Sequence, residues 1–191
     1  MAPAIDPIVT LGKLIPKPTS TFELHPVTIQ DTYDVISDMS ATNARGFDFI
    51  NSRTLKMIPH ITSLWMTHLF NCIVLTKAFP KIWKVIRILP ILKPKKLKTT
   101  KTSYGPVANL SVFEKITEEL MKRQLSEYFE SNDLILKNHH GGRKGYSTVT
   151  PRAVVDAECS KVIENNNLGF VLTTDLSSAS DTVDTEILLN N

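Results

Sequence analysis

Near its C-terminus the chain carries a short apolar run, Phe170 to Leu172, that leads into the carboxylate of Asp175. An apolar run of this kind, followed by a turn of small residues, predicts a short buried strand. A helix is expected to begin near Asp184, whose side chain can cap it, with Ile187 on its apolar face. A carboxylate at the C-terminal end of a buried strand is well placed to face a crevice and hold a cation. The same pattern also fits a carboxylate that bonds only to loop amides.

The composition excludes several classes of protein. The 191 residues suffice for one domain with a core or for part of a larger one, and 42% apolar with 21% charged residues excludes overall disorder. A net charge of +3 is too small to establish a nucleic-acid partner. Cys72 and Cys159 are far apart in the sequence, which argues against a disulfide scaffold and a zinc site and suits a reducing compartment.

No targeting or membrane segment is recognised in the sequence. A secretion signal is not predicted, because no basic start precedes a continuous apolar core. Residues 61–79 come nearest to a membrane span, but a span would have to bury His68, Asn71 and Lys77. We therefore expect no membrane partner and an intracellular location, nuclear or cytoplasmic, while the sequence leaves the oligomeric state open.

Proline content and helical periodicity divide the N-terminal part of the chain. Residues 1–27 are rich in proline and are expected to form an extended arm. Residues 28–79 predict a helical lead-in, whose first helix Thr28 can cap.

The longest helix of this lead-in is expected over about residues 61–77. Its predicted buried face includes Leu64, Trp65, Leu69, Cys72 and Ile73. His68 lies on the same face and is interpreted as a buried, hydrogen-bonded histidine, because no other His or Cys is expected to share a metal with it.

A β-hairpin with a lysine-rich tip is predicted in the middle of the chain. Residues 84–92 are rich in β-branched side chains and predict a strand, and residues 103–107 predict a short returning strand or turn. The loop between them carries five lysines: Lys93, Lys95, Lys96, Lys98 and Lys101. Ammonium groups neutralise phosphates without reading base identity, so this tip suits a nucleic-acid backbone. A solvated loop that keeps the protein soluble is the alternative.

The best-marked helix of the chain begins at Ser111. Glu114 stands three residues later, which is the spacing of a capping box, and Ile116 and Leu120 continue an apolar stripe. The helix is expected to end near residue 131, and it indicates a fold rather than a function.

Glycines and cations adjoin in the next connection, residues 138–148. Gly141 frees the backbone there, Arg143 and Lys144 add charge, and a helix capped by Thr150 is expected to follow at once. Flexible backbone, cations and helix N-terminal amides together would suit a phosphate backbone. An ordinary glycine-rich connection is the alternative.

Five segments resemble, in sequence and in order, the signatures of one polymerase family. Residues 46–50 resemble G-x-D-x-I, residues 79–93 resemble FPxxWK...PIxK, residues 104–116 resemble YRPIxLLSxxxKIxE, residues 140–148 resemble HGFRxxxST, and residues 175–184 resemble DLSxAFDTVD. Together they resemble the front half of a reverse transcriptase from a non-LTR (LINE-type) retrotransposon of the jockey or CR1 sort. The resemblance runs from about residue 28 to the end of the sequence; single signatures are weak, but several in the correct order are strong.

The resemblance implies a fold and an activity. The expected fold is α+β, a helix-rich fragment of a right-hand polymerase with fingers over residues 80–168 and the start of the palm over residues 169–191. The implied activity is RNA-directed DNA synthesis, in which two Mg²⁺ ions clamp the attacking and leaving oxygens. The implied partners are an RNA template, a DNA primer and deoxynucleotides.

The resemblance also assigns roles to particular residues. Asp175 matches the first metal-binding carboxylate of the catalytic site, and the Leu176 carbonyl would line the same Mg²⁺. The positions implied for the incoming nucleotide are Lys93, Lys95, Lys96 and Ser180. The positions implied for the template strand are Gly141, Arg143 and Lys144.

The chain departs from the family at three positions. Gly105 stands where the family has an arginine, Ser180 where it has the aromatic residue that excludes a ribose hydroxyl, and Gly142 where it usually has phenylalanine. Losing a cation at the triphosphate and an aromatic residue at the sugar should weaken binding and discrimination. The 191 residues also contain no Y-x-D-D segment and no thumb, so we expect no polymerisation by this polypeptide alone.

Two other interpretations also fit the sequence. A small residue at position 180 would admit ribonucleotides, and D-L-S-x-A-S-D resembles the first palm motif of some RNA-dependent RNA polymerases. The chain would alternatively be a non-catalytic nucleic-acid-binding remnant, or an inert one.

Overall fold

The computed structural model of the protein describes residues 21–95, 97–176, 179 and 182–190. The first of its two compact units, residues 1–137, contains helices α1 (Ile29–Asp38), α2 (Ser52–Leu55), α3 (Pro59–Thr76) and α4 (Val112–Ser131) and strands β1 (Arg87–Leu92) and β2 (Tyr104–Asn109). The second unit, residues 138–191, contains α5 (Val149–Glu164) and α6 (Thr185–Asn190). Helices with a small sheet make the mixed α+β class that the sequence predicted. Most of the predicted proline-rich arm, residues 1–20, lies outside the described residues.

Helix α1 begins where the sequence predicted. The Thr28 hydroxyl oxygen accepts from the Asp31 amide at 3.2 Å, and the Asp31 carboxylate accepts from the Thr28 amide at 2.8 Å. This reciprocal capping box satisfies two of the donors that a helix start leaves open. At the other end, Lys56 Nζ donates to the carbonyl oxygens of Ser37 and Met39, each at 2.7 Å.

The prediction for the buried face of α3 is wrong except at Ile73, which is buried as predicted. Trp65 is 65% exposed, and Leu64, His68 and Leu69 are exposed as well. The face that packs inward consists of Thr62, Ser63, Met66, Thr67, Phe70 and Ile73. Because α3 contains no Asp, Glu, Lys or Arg, apolar residues surround the helix and periodicity does not distinguish its two faces.

Hydroxyl groups explain why this face of α3 is the inner one. Thr67 Oγ1 donates to Thr32 Oγ1 of α1 at 2.8 Å, in a buried contact between the two helices. The hydroxyls of Thr62 and Ser63 donate to backbone carbonyls one turn earlier, at 3.0 Å each. Small side chains whose polar atoms are satisfied let two helices approach closely, which larger residues such as Trp65 would prevent.

One hydrophobic core joins α1, α3 and α4. Its buried members are Val35, Ile36, Leu55, Met66, Phe70, Ile73, Trp83, Val112, Ile116 and Leu120. Trp83 comes from a 3-10 turn, Lys81–Lys84, and its ring meets Phe79 edge to face with centroids 5.9 Å apart. The F-P-x-x-W-K signature therefore acts here as a packing element that connects the core to β1.

The G-x-D-x-I segment fastens the start of α4 to the loop after α1. A Cβ on Gly46 would lie 2.7 Å from Cα and N of Ser111, so the two backbones are in direct contact. Ser111 Oγ donates to the Asp48 carboxylate at 2.5 Å. Arg87 of β1 lies over the Phe49 ring, with Cζ 5.4 Å from the centroid. This signature thus has a structural role in holding α4 and β1.

Ser111 caps α4 as predicted, although its hydroxyl oxygen accepts from the Phe113 amide rather than from that of Glu114. Glu114 is 7% exposed, and its Oε2 has no hydrogen-bond partner among the described residues. Burial raises the pKa of the Glu114 carboxyl above its ordinary value of 4.5, and the charge of Glu118 adds to the rise. A hydrogen bond from the Ser111 backbone and the charge of Lys115 lower the pKa by less.

We predict that Glu114→Gln stabilises the protein at neutral pH. The pKa of Glu114 is higher in the fold than in the unfolded chain, so its stabilising protonated form is present below pH 4.5 and is lost as the pH rises through the folded pKa. The Glu114→Gln variant has no carboxyl group at this position, so its free energy of unfolding does not fall over this pH range. Urea unfolding on both sides of pH 4.5 should show equal stabilities at low pH and a more stable variant at neutral pH, whereas a constant difference at all pH values would contradict the prediction.

None of the described helices has the length and apolar character needed to cross a lipid bilayer.

The predicted buried strand at Phe170–Leu172 is not formed. Residues 169–176 have no regular secondary structure, and Phe170 and Leu172 are 97% and 88% exposed. The described residues offer this segment no partner strand, and a single strand cannot satisfy its own backbone groups. The cap of α6 is confirmed, because Asp184 Oδ1 accepts from the amides of Glu186 and Ile187 at 2.9 and 3.1 Å. Ile187, predicted on its apolar face, is exposed.

Candidate nucleic-acid interface

The predicted hairpin is confirmed as an antiparallel pair of strands. Its register pairs Arg87 with Asn109 at the open end and Leu92 with Tyr104 near the tip. The Lys93 amide donates to the Ser103 carbonyl at 2.8 Å and closes the tip, and the Tyr104 hydroxyl donates to the Lys98 carbonyl at 3.1 Å. These bonds hold a long tip loop in a defined shape, which gives its lysines fixed attachment points.

The lysines of the tip loop point their charge into solvent. The described ones, Lys93, Lys95, Lys98 and Lys101, are all exposed, and none forms an ion pair within the described part of the chain. Lys96 lies outside the described residues. Gly105, which stands where the resemblance implies an arginine, lies close to Lys93. A Cβ on Gly105 would be 3.8 Å from Cε of Lys93.

Charge is segregated along the chain more strongly than the net value of +3 indicates. Residues 49–113 contain no Asp or Glu, yet they hold eleven of the 22 Lys and Arg residues of the chain. The eleven are Arg53, Lys56, Lys77, Lys81, Lys84, Arg87, Lys93, Lys95, Lys96, Lys98 and Lys101. Counting charge in windows finds this signal, whereas the whole-chain balance hides it because the carboxylates lie elsewhere. Such a stretch is attracted to polyanions.

The glycine turn, residues 138–148, begins the second unit. Gly142 and Gly145 have φ of +69° and +83°, a region that glycine enters without strain. Arg143 is half-buried, with Cζ 4.6 Å from the centroid of the Tyr146 ring, while Lys144 is exposed. The turn therefore holds one of its two cations against an aromatic side chain and leaves the other in solvent.

The helix after this turn begins earlier than predicted. Helix α5 starts at Val149 with Thr148 as N-cap, and Thr148 makes no side-chain cap bond. Thr150 lies inside the first turn, where its hydroxyl donates to the Ser147 carbonyl at 2.7 Å. The side chain predicted to cap the helix instead ties the preceding turn to it. Helix α5 contains no buried residue.

Asp175 and Leu176 lie in the exposed irregular segment before α6, and Ser180 lies outside the described residues. No three His, Cys, Asp or Glu side chains in the described part of the chain are grouped to hold a metal ion. One carboxylate and one carbonyl do not make a site for two cations about 4 Å apart. The described residues thus do not complete a two-Mg²⁺ centre.

The prediction that His68 is buried is wrong because the side chain is exposed, whereas the predicted hydrogen bond is present. Its Nε2 lies 3.7 Å from Sγ of Cys72, one turn further along the exposed face of α3. The i, i+4 spacing on a helix brings the two side chains together. A pair of ligands alone does not define a metal centre, and no third ligand joins them among the described residues.

Comparison with known proteins identifies relatives of one kind. The chain is 29% identical over 140 residues to the probable RNA-directed DNA polymerase from transposon BS, and 34% identical over 116 residues to that from transposon X-element, both of Drosophila melanogaster. It is 27% identical over 160 residues to the RNA-directed DNA polymerase from mobile element jockey of the same species. These alignments cover 73%, 61% and 84% of this chain. No protein-family model matches the chain.

These relatives are named as RNA-directed DNA polymerases of transposons and mobile elements, and this chain is similar to a part of each of them. The resemblance to a non-LTR retrotransposon reverse transcriptase is confirmed, since the relatives are Drosophila elements of that kind at 27–34% identity. The matched stretch spans only 13–18% of the length of these relatives.

Proposed function

We propose that the chain forms the fingers, residues 80–168, and the start of the palm, residues 169–191, of a retrotransposon RNA-directed DNA polymerase. The helical lead-in, residues 28–79, would support the fingers in a right-hand arrangement. The activity of the intact polymerase would be template-directed nucleotidyl transfer on an RNA template with a DNA primer and deoxynucleotides. The part of that task carried by this chain is to hold nucleic acid by its phosphates.

One observation carries the proposal: a closed hairpin presents exposed lysines within a stretch that has no carboxylates. Lys93, Lys95 and Lys98 have no ion-pair partner in the described structure, so their charges are not neutralised before a ligand arrives. Lysine ammonium groups contact phosphate oxygens without base specificity, which suits a polymerase that copies any sequence. Of these, Lys93 and Lys95, with Lys96, are proposed to face the triphosphate of the incoming nucleotide, and Ser180 its sugar.

The glycine turn is proposed to lie along the template strand. Arg143 and Lys144 supply two cations there, and Gly141 allows the backbone to approach a phosphate closely. Arginine recognises phosphate with a planar set of donors, so Arg143 is the stronger candidate of the two cations.

Asp175 is proposed as the first metal-binding carboxylate of the palm, with the Leu176 carbonyl beside it. Carboxylate and carbonyl oxygens are the ligands that Mg²⁺ prefers, and that ion would stabilise charge on the transferring phosphoryl group when bound. Because the described residues do not assemble the remaining ligands, a polypeptide of these 191 residues should not polymerise. A primer-extension assay in Mg²⁺ should show no template-dependent product, and such a product would contradict this expectation.

We predict that replacing Lys93, Lys95 and Lys98 by alanine weakens RNA binding and flattens its salt dependence. Each lost phosphate contact on a single strand reduces the slope of log K against log salt by about 0.7, so three contacts correspond to about 2. Fluorescence anisotropy of a labelled single-stranded RNA, measured over a range of salt concentrations, gives both quantities.

A control variant that removes two lysine charges elsewhere on the chain separates the effect of the site from the effect of bulk charge. Lys122 and Lys161 are each paired with a carboxylate, Glu119 and Glu158, at 3.1 and 2.6 Å. Replacing these two lysines by alanine should change the salt slope much less than replacing the hairpin lysines. Equal effects of the two sets, or no RNA binding by the unmodified chain, would contradict the proposed function and favour an inert remnant.

An RNA-dependent RNA polymerase is not proposed as a second function. The four relatives are named as RNA-directed DNA polymerases, and the small residue at position 180 is the feature that would favour the other activity.

A further inference from the structure

The glycine turn holds Arg143 against an aromatic ring whose position the family signature leaves unspecified. Cζ of Arg143 lies 4.6 Å from the centroid of the Tyr146 ring, within the range of a cation–π contact. The backbone joins the same two residues, because the Tyr146 amide donates to the Arg143 carbonyl at 3.2 Å. Guanidinium and ring thus belong to one closed turn.

The Tyr146 ring contacts a second aromatic side chain besides Arg143. The His140 ring meets it edge to face, with centroids 5.2 Å apart and planes at 66°. Nδ1 of His140 shares a hydrogen bond of 3.0 Å with Oγ1 of Thr150, which also donates to the Ser147 carbonyl at 2.7 Å. The ring therefore contacts a histidine that is hydrogen-bonded to the first turn of α5.

We propose that Tyr146 is a positioning residue that presents the Arg143 guanidinium to a nucleic-acid phosphate. This inference rests on the proposed function, which assigns Arg143 to the template strand. Arginine has many rotamers, and a side chain that is already ordered loses less entropy when a phosphate binds. The effect of Tyr146 on RNA binding accordingly passes through Arg143.

Lys144 provides an internal comparison for this arrangement. It follows Arg143 directly in the sequence and is exposed, and it makes no ring contact or ion pair among the described residues. A contribution of Lys144 to RNA binding should not depend on the residue at position 146.

A double-mutant cycle on the full 191-residue chain, with a labelled single-stranded RNA as the probe, tests the inference. Tyr146→Leu should weaken RNA binding by about 2- to 5-fold, the size expected of an exposed cation–π contact. In a chain that carries Arg143→Ala, the same substitution should have no further effect. Tyr146→Phe keeps the ring and should bind as the unmodified chain does, and Lys144→Ala should weaken binding equally with Tyr or Leu at position 146.

Each outcome decides the matter. If Tyr146→Leu weakens binding equally with and without Arg143, the tyrosine acts independently and the inference is wrong. If Arg143→Ala weakens binding and Tyr146→Leu does not, the inference is wrong while the proposed function stands. If Arg143→Ala leaves RNA affinity unchanged, the assignment of Arg143 to nucleic acid fails, and the role of Tyr146 fails with it. Weakening by Tyr146→Phe as large as that by Tyr146→Leu would also overturn the inference, and circular dichroism of each variant reports whether α5 remains folded.

Discussion

Phe70→Ala is expected to lower the free energy of unfolding by about 3–5 kcal/mol, the range for removing a buried phenylalanine. Phe70 is completely buried in the core shared by α1, α3 and α4. The substitution removes a fully buried ring and leaves a cavity that a packed interior fills only partly. Urea unfolding followed by circular dichroism gives the value, and a loss this large should leave the first unit only marginally folded.

Trp65→Ala on the same helix is the matched control. Trp65 is 65% exposed, so its removal should cost about 1 kcal/mol or less. The pair distinguishes the observed inner face of α3 from the face that periodicity predicts. A larger loss for Trp65→Ala than for Phe70→Ala would show that the helix is turned the other way.

Gly46→Ala is expected to destabilise the first unit by about 1–3 kcal/mol, the usual cost of forcing an atom into a packed site. The new Cβ would lie 2.7 Å from Cα and N of Ser111 and 2.9 Å from the Leu110 carbonyl carbon. These are backbone atoms at the start of α4 and cannot move without displacing the helix. The shift would also stretch the 2.5 Å hydrogen bond between Ser111 and Asp48. The unfolding midpoint in urea reports the loss.

Gly105→Ala makes the same chemical change where there is room. The nearest atom to its new Cβ is the flexible Lys93 side chain at 3.8 Å, an ordinary contact distance. The stability should change by no more than about 0.5 kcal/mol. Equal losses at positions 46 and 105 would mean that the close approach of Gly46 to Ser111 does not exist in solution.

Features set by local chemistry were predicted well. The caps at Thr28, Ser111 and Asp184 depend on residues within a few positions of each other, and all three form, whereas the cap predicted at Thr150 does not. The hairpin was predicted because a β-branched run is followed by a lysine-rich loop and a short returning segment, and both strands are present. Interactions of this range are contained in the sequence window that reveals them.

Features that depend on distant partners were predicted poorly. The inner face of α3 is determined by the hydroxyl contact with α1 and by core packing. The sequence of a helix that is apolar all round does not indicate which face makes these contacts. The run Phe170–Leu172 has strand propensity, but a strand exists only beside a partner, and the described chain provides none. The role of Asp48 at the start of α4 likewise depends on a contact across 63 residues.

The candidate site was predicted in part, for the same reason. The exposure of the tip lysines could be predicted from the sequence, because lysine side chains keep their ammonium groups in water. The contact of Tyr146 with Arg143 was missed because its signal, an aromatic residue three positions after an arginine in a glycine-rich turn, occurs often without a contact. The roles of Asp175 and Leu176 depend on ligands that the described residues do not bring together, so they stay predictions.

Photocrosslinking of the 191-residue chain to a 4-thiouridine-labelled single-stranded RNA, with the attachment sites mapped by mass spectrometry, locates the nucleic acid directly. If the lysine hairpin and the glycine turn hold the phosphate backbone, the crosslinked peptides will lie within residues 93–101 and 138–148. Crosslinks confined to the exposed apolar face of α3 or to α5, with none in the hairpin, would contradict the assignment of this surface to nucleic acid.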